Sequence, residues 1–336
     1  MYSKINHKVV AELENIVGEI NCIQQEDRME DYSHDEFSLM DIAHMPEAVV
    51  LPQTSEEISK ILELANRENI PVTPRGGATG LCGGCVPIFG GIVLSLEKMN
   101  RILEIDTANQ MAVVESGVRL MDFYHAVEEA GLFFPSHPGE ESAMIGGVLA
   151  NNAGGARAVK HGVFRNYVRG MNVVLPSGKK IKVGGKIMKN STGYNLLNLF
   201  IGSEGTLGVI TQATIQLMPS PQVTRSLIIP YDELEKAIDT VPFLIRQKIL
   251  PLAVEFVPQE LIRITEEFLN KKWPSSIGNT YLLIILDASG KDEIDRLSLD
   301  VAELCLASGA LDVFVADSEQ KQHQVLEIRS KIYEAI

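Results

Sequence analysis

Apolar residues recur at helical spacing in the segment after Thr54. Thr54 is followed three residues later by Glu57, the arrangement of an N-terminal capping box. Ile58 and Ile61 then fall on one face of the predicted helix. Short β-branched runs flank it, "EAVVLP" before and "IPVTP" after. Residues 47–74 are therefore predicted to form a β-α-β unit.

Alternation with a period of two dominates the middle of the chain. Residues 101–117 predict a β-hairpin that turns at residues 107–110. A helix is predicted from about Leu120, ending at Gly131, a residue suited to a left-handed cap. Residues 209–217 alternate between apolar and polar, which is typical of a half-buried strand.

The pattern changes after "MPSPQ" at residues 218–222. Four apolar strands alternate with helices predicted at 232–248 and 291–308, if a short helix at 259–269 is set aside. The order β-α-β-β-α-β is the split pattern of a ferredoxin-like sheet. A last helix begins near Ser318 and shows no stop signal, so we expect the chain to be incomplete at its C-terminus.

Composition narrows the class of protein. A length of 336 residues favours about two domains. The net charge of −14 argues against nucleic acid as a partner, because a phosphate backbone would be repelled. No apolar run approaches the roughly 20 residues that span a bilayer. We therefore expect no transmembrane segment. Four cysteines in 336 residues are too few for a disulfide framework, so we expect a reduced, cytoplasmic setting. Residues 1–45 predict a helix and then an acidic stretch, interpreted as a solvated arm.

The candidate chemistry begins in the first glycine segment, "PRGGATGLCGGCVP" at residues 74–87. The strand-like run after it does not suit a Rossmann loop, which opens a helix, and no G-K-[ST] is present for a P-loop. Cys82 and Cys85 have the spacing of half a zinc site or a redox pair, but the loop holds no histidine. The favoured interpretation is that both cysteines are small, partly buried side chains that fill space in the fold. The remaining interpretation of this segment is a nest of backbone N–H groups that binds anionic oxygen. The alternative is a flexible surface turn.

Two more glycine-rich segments lie in the same half of the chain. We call residues 137–162, "HPGEESAMIGGVLANNAGGARAVKHG", the second glycine segment and residues 200–217, "FIGSEGTLGVITQATIQL", the third. Three such segments indicate one large ligand that is contacted at several points.

Together the three segments resemble the FAD-binding domain of the vanillyl-alcohol oxidase (PCMH-type) superfamily, in its D-2-hydroxyacid dehydrogenase branch. The resemblance covers residues 45–336 and implies an α+β fold. A PCMH-type FAD-binding domain of two α/β subdomains would occupy residues 46–218, after an N-terminal helical arm at 1–45. A ferredoxin-like substrate (cap) domain, truncated at its end, would occupy 219–336.

The resemblance also implies cofactor residues. Pro74 would lie beside the cofactor, and the FAD pyrophosphate would contact Arg75, Gly76, Gly77, Ala78, Thr79 and Gly80. The isoalloxazine side would be formed by Ser142, Gly146 and Gly147, with Pro138, Asn152, Gly154 and Gly155 beside them. Gly205, Val209 and Ile210 would run along the adenine and ribose. For Asn152, a turn-forming role is the alternative.

Arg329 matches the family's arginine that grips the substrate carboxylate, since a guanidinium forks onto a carboxylate. An exposed arginine on an amphipathic helix is the alternative, and Tyr333 would face the same pocket one turn on. The implied reaction is oxidation of a D-2-hydroxyacid, D-lactate or glycolate, to the 2-oxoacid by hydride transfer to flavin N5. Electrons would pass to an electron-transferring flavoprotein or an iron–sulfur subunit. A non-catalytic flavin-binding subunit of a larger complex is the alternative function.

Three departures from the family pattern matter. The first segment holds no histidine, so FAD is expected to be non-covalent. His137 stands where relatives carry aspartate and is interpreted as a loop residue. The family's C-terminal histidine-rich segment does not appear in these 336 residues, so no metal site is predicted. The chain is expected to bind FAD but to lack part of the active site, with poor or no turnover.

Overall fold

The computed structural model describes residues 2–36, 42–316 and 318–336. They form two compact units. The first unit comprises the described residues up to Phe134, together with Glu140–Ala153 and Val163–Pro219. The second unit comprises Pro135–Gly139, Gly154–Gly162 and the described residues of Ser220–Ile336.

Helices and strands alternate along the chain in a mixed α+β order. The helices are α1 (His7–Val17), α2 (Glu26–Met29), α3 (Ser55–Glu68), α4 (Leu120–Glu129), α5 (Ile145–Asn151), α6 (Ala158–His161), α7 (Leu197–Phe200), α8 (Leu234–Arg246), α9 (Gln259–Leu269), α10 (Lys291–Ala307), α11 (Glu319–Ser330) and α12 (Ile332–Ala335). The strands are β1 (Cys22–Ile23), β2 (Ala48–Val50), β3 (Val72–Arg75), β4 (Ile92–Ser95), β5 (Ile102–Asp106), β6 (Met111–Glu115), β7 (Leu132–Phe133), β8 (Val168–Val174), β9 (Lys180–Gly184), β10 (Val209–Gln216), β11 (Met218–Pro219), β12 (Val223–Tyr231), β13 (Ala253–Pro258), β14 (Thr280–Ala288) and β15 (Phe314–Ala316).

The first unit begins with a four-stranded sheet of order β1-β2-β4-β3. The predicted β-α-β elements are confirmed, and β4 lies between β2 and β3, parallel to both. Thr54 caps α3, since its Oγ1 accepts from the Glu57 N–H at 3.2 Å. Ile58 and Ile61 are fully buried on the inner face of this helix. The first glycine segment therefore leaves the carboxyl end of the edge strand β3.

A five-stranded antiparallel sheet of order β5-β6-β10-β8-β9 lies in the same unit, together with a two-stranded sheet of β7 and β11. The hairpin predicted at 101–117 is confirmed as β5 and β6. Helices α4 and α5 contribute to its core, where Phe134 packs against Phe123 and Phe164 with ring centroids 5.4 and 4.9 Å apart. Strand β10 is half-buried, as predicted, and pairs on both sides.

The second unit contains an antiparallel sheet of order β13-β14-β12-β15, which confirms the ferredoxin-like order. Alternate residues of β12 and β14 serve two cores. Leu227 and Ile284 face a core completed by α8 and α10. Ile228 and Leu283 face a second core with Trp273, completed by α9 and α11. The helix at 259–269 therefore covers the second face of the sheet.

The N-terminal residues are not the solvated arm that the acidic stretch predicts. Helix α1 buries Val9 and Leu13 in the core of the first unit, and β1 pairs with β2. Asp35 is only 4% exposed, and its carboxylate accepts from the Gly83 N–H at 2.6 Å. One carboxylate of the acidic stretch, that of Asp35, therefore binds the first glycine segment. Residues 37–41 of the predicted arm lie outside the described residues.

None of the described helices combines the length and the apolar character needed to cross a membrane.

Candidate functional site

The first and second glycine segments meet in the first unit. A Cβ atom added to Gly76 would lie 3.5 Å from the backbone nitrogen of Gly147. A Cβ on Gly77 would lie 3.3 Å from the carbonyl oxygen of Ser142. A Cβ at Gly76 would therefore make ordinary van der Waals contact and one at Gly77 a tight contact, so the two backbones pass side by side here.

The third glycine segment joins the other two. Gly205 has a positive φ of 73°, and a Cβ on it would lie 3.3 Å from Cγ of Pro74. The Gly202 N–H donates to the Leu149 carbonyl at 3.0 Å, which ties this segment to α5. The first and third segments and residues 140–153 of the second are therefore brought together in the first unit.

The meeting point has room and donors for a phosphorylated cofactor. A Cβ on Gly147 or Gly80 would meet no atom within 4 Å, so these glycines border open space. Among the described residues, the N–H groups of Gly76, Gly77 and Ala78 form no backbone hydrogen bond. Ala78 takes a left-handed φ of 58°, a backbone conformation found in anion-binding nests. Free N–H groups beside open space fit the pyrophosphate of FAD.

The Arg75 side chain is committed to the protein. Its Nη1 donates to the His34 carbonyl at 2.6 Å and to Cys85 Sγ at 3.3 Å. Its Nη2 donates to the Asp31 carbonyl at 2.5 Å, and its guanidinium lies 5.4 Å from the centre of the Tyr32 ring. These contacts hold the N-terminal residues against the first glycine segment. A pyrophosphate contact for Arg75 stays a prediction.

The two cysteines of this segment differ from one another. Cys85 is partly buried, and burial raises the pKa of its thiol, which disfavours the reactive thiolate. Cys82 is exposed, so the prediction that both are partly buried fillers is wrong for Cys82. Within the described ranges, no group of three or more His, Cys, Asp or Glu side chains is arranged to hold a metal ion.

Several predicted cofactor residues also have a structural role. A Cβ on the buried Gly146 would lie 2.7 Å from Cβ of Ser116, so this glycine permits close packing of α5. Asn152 ends α5 with a left-handed φ of 51°, and its Oδ1 accepts from the Arg165 N–H at 3.1 Å. That is the turn-forming alternative for Asn152. Val209 and Ile210 bury their side chains in two cores and pair with β8, and the Ile210 carbonyl accepts from Ser116 Oγ at 2.6 Å. A cofactor contact for these two residues stays a prediction.

Other residues of the first unit are open to contact. Ser142 is exposed, and its hydroxyl donates to Glu140 Oε1 at 2.5 Å. Thr79 lies beside Gly77, whose added Cβ would be 3.6 Å from the Thr79 methyl group.

The remaining cofactor candidates, Pro138, Gly154 and Gly155, belong to the second unit. A Cβ on Gly155 would lie 1.8 Å from the His137 carbonyl oxygen, so no other residue fits there. Burial, reinforced by the Arg157 guanidinium, lowers the pKa of His137 to about 4. The imidazole is neutral at physiological pH.

A lysine in the same segment was missed in the sequence. Lys160 lies in α6, and its Nζ contacts both carboxylate oxygens of Asp287, at 2.5 and 2.7 Å. Asp287, near the end of β14, is 17% exposed and Lys160 is 28% exposed. The pair ties the second glycine segment to the ferredoxin-like sheet. A carboxylate at the end of an apolar strand was the signal available for Asp287.

Arg329 also has a carboxylate partner in the second unit. Its Nε donates to Oε2 of Glu255, a residue of β13 that is 14% exposed. Glu255 was missed, although a single carboxylate within the apolar run "LAVEFV" was a visible signal. Helix α11 ends at Ser330, and Tyr333 lies 58% exposed on the separate helix α12. Tyr333 therefore does not continue the helix of Arg329.

Comparison with known proteins bears on the same two parts of the chain. Residues 46–184 match the family model of the FAD binding domain, and residues 220–336 match that of the C-terminal domain of FAD linked oxidases. The chain is 41% identical over 340 residues to a D-lactate dehydrogenase of Anaerostipes hadrus, covering all of this chain and 71% of that protein. It is 38% identical over 294 residues to the glycolate oxidase subunit GlcD of Bacillus subtilis, covering 87% of this chain and 62% of that protein.

A solved structure supports the fold. The crystal structure of p-cresol methylhydroxylase with substrate bound has a TM-score of 0.80 and 20% identity, covering 97% of this chain and 68% of that one. The PCMH-type fold expected from the three glycine segments is thereby confirmed. The chain spans between three-fifths and three-quarters of the two relatives it is compared with. It belongs to the FAD-linked oxidase family of oxidoreductases, and its cofactor is FAD.

Proposed function

We propose that this protein oxidises a D-2-hydroxyacid to the 2-oxoacid, with D-lactate or glycolate as the substrate. The observation that carries the proposal is the meeting of the three glycine segments beside open space in the first unit. Relatives named D-lactate dehydrogenase and glycolate oxidase support the choice of substrates.

The first glycine segment would hold FAD through its backbone. N–H groups of Gly76, Gly77 and Ala78 would donate to the pyrophosphate, and the missing side chain at Gly147 would leave room for the flavin edge. The segment contains no histidine for a covalent tether, so we propose non-covalent binding. When bound, FAD supplies the acceptor for the hydride that leaves C2 of the hydroxyacid, while a general base would take the proton of its hydroxyl group.

Arg329 would bind the substrate carboxylate. Glu255 engages Nε of the guanidinium, which leaves the two terminal nitrogens to form paired hydrogen bonds with a carboxylate. The negative Glu255 also offsets the positive charge of Arg329 before substrate arrives. We assign Arg329 to substrate binding and Glu255 to holding its orientation.

The proposal includes a protein electron acceptor and a cytoplasmic setting. One relative is named as a subunit, which agrees with electron transfer to a protein partner, an electron-transferring flavoprotein or an iron–sulfur subunit. All four cysteines are free, with Cys22 and Cys305 buried, as suits a reducing cytoplasmic setting.

The test is an anaerobic absorbance titration of the FAD-loaded protein with D-lactate, glycolate and L-lactate. Bleaching of the flavin band by D-lactate or glycolate, and not by L-lactate, is expected. A flavin that binds stoichiometrically and is bleached by none of them would contradict the proposal. It would favour the alternative of a non-catalytic flavin-binding subunit.

A further inference from the structure

A cavity of about 610 Å³ lies in the first unit, apart from the glycine segments. Its walls are the start of β8 with the turn before it, the end of β9, and residues 187–198. None of the residues assigned to FAD lines it. The volume falls within the roughly 300–1,000 Å³ that is usual for small-molecule sites.

Three positively charged side chains line this cavity: Arg165, Arg169 and Lys182. None of them forms an ion pair with any residue in the described part of the chain. Two lysines close in sequence to Lys182 do have carboxylate partners, Lys180 with Glu56 and Lys186 with Glu104. In a chain of net charge −14, a local excess of three positive charges is unusual.

Both arginines also carry an unused buried donor. The Nε atoms of Arg165 and Arg169 are buried and have no hydrogen-bond partner among the described residues. Their outer nitrogens are held in place, since Nη2 of Arg165 donates to the Ile201 carbonyl at 3.2 Å and Nη2 of Arg169 donates to Gln216 Oε1. An unpaired buried donor is costly, and an anionic acceptor would remove that cost.

The remaining walls suit the body of a ligand. Tyr194 is 94% exposed, and the neighbouring Ile187 and Met188 are 48% and 61% exposed. Ser191 and Asn190 also line the cavity. An exposed aromatic ring beside apolar side chains is suited to stacking on a planar group.

We propose that this cavity binds a phosphorylated small molecule with a planar ring, of about nucleotide size, at a site separate from the flavin. A phosphate group is favoured over a single carboxylate because it offers more charge and more acceptor oxygens to three cations. The proposal does not depend on which hydroxyacid the protein oxidises.

The test uses the FAD-saturated protein, so that the cofactor site is filled. The probe is GDP, because FAD contains no guanine base. Isothermal titration calorimetry is expected to show saturable binding of GDP, and the absorbance of the bound flavin should show that FAD is not displaced. Loss of one charged contact should weaken GDP about tenfold in Arg169→Gln and in Lys182→Gln. The matched control is Lys180→Gln, which removes the same charge from the same strand outside the cavity and should bind GDP normally.

Two further probes represent the phosphate part and the nucleoside part of GDP. Inorganic phosphate and guanosine are each expected to bind more weakly than GDP. Equal GDP affinity in Lys182→Gln and Lys180→Gln would overturn the proposal, and so would guanosine binding as tightly as GDP. Binding of a glutamate-rich peptide that requires Lys182, without binding of GDP, would make the cavity a peptide site and overturn it as well. Lys182 is exposed, so its variant decides the outcome even if Arg169→Gln fails to fold.

Discussion

Gly147 borders open space, since a Cβ there would meet no atom within 4 Å. In Gly147→Val the new side chain would stand where the cofactor is expected, while its Cβ would meet no atom of the fold within 4 Å. FAD affinity should fall about tenfold or more, because overfilled sites cost about 1–3 kcal/mol. Fluorescence titration of FAD measures this.

The control for Gly147→Val is Gly139→Val. Gly139 is also a glycine whose Cβ would meet nothing within 4 Å, but no cofactor contact is assigned to it. Its variant should bind FAD normally. Unchanged FAD affinity in Gly147→Val, with an unchanged circular dichroism spectrum, would show that the cofactor does not use this space.

His137 makes stability depend on pH. Its pKa falls from the ordinary 6.5 to about 4 on folding, because burial and Arg157 disfavour the charged ring. Below pH 6.5 the unfolded chain binds a proton that the folded chain does not, so stability is lost as pH falls toward 4. Replacing His137 by Gln should reduce the loss between pH 7.5 and 4.5 by about 2 kcal/mol.

Urea unfolding at the two pH values measures the difference. His125→Gln is the control, because His125 is an exposed histidine. An identical pH dependence in wild type and His137→Gln would show that the imidazole is not desolvated as described.

Arg329 is the third residue whose role is open to a direct test. Under the proposed function, Arg329→Lys keeps the charge but loses the planar fork, so the KM for D-lactate should rise about tenfold or more. FAD affinity should not change. A KM equal to that of the wild type would place the substrate carboxylate elsewhere.

At the scale of elements, Lys160 joins α6 to β14 through Asp287. The pair is largely buried, and removing one partner leaves a charge without compensation. Lys160→Gln should therefore destabilise the protein by about 2 kcal/mol. Lys236→Gln, which breaks an exposed pair with Glu233, should change stability by less than about 0.5 kcal/mol. Urea unfolding of both variants distinguishes the two outcomes, and equal effects would contradict the structural role of Lys160.

Much of the fold could be predicted because its signals are local. Thr54 and Glu57 mark the start of α3, and the alternation of residues 209–217 marks β10. The position of β4 between β2 and β3 could not be predicted from the sequence, since all three strands are short runs with β-branched residues and nothing in them specifies which strands pair. The same holds for contacts between residues far apart in sequence. The Arg75 guanidinium, for example, binds carbonyl groups 41 and 44 positions away.

At the scale of the whole molecule, the chain crosses between its two compact units several times. The second unit needs Pro135–Gly139 and Gly154–Gly162 as well as the residues after Pro219. A fragment beginning at Ser220 would leave Asp287 without Lys160. Expressed alone, residues 220–336 should unfold at lower urea concentration than the same residues in the intact chain. An equal midpoint would show that the two short stretches contribute nothing to the second unit.

Trp273 offers a means to follow that unit alone. It is the single tryptophan of the sequence, 5% exposed in the core completed by α9 and α11, with its ring 5.7 Å from that of Tyr281. Its native emission is therefore a label-free optical reporter of the ferredoxin-like half. The absorbance of bound flavin reports on the first unit, so one sample can record the unfolding of each unit in its own wavelength range.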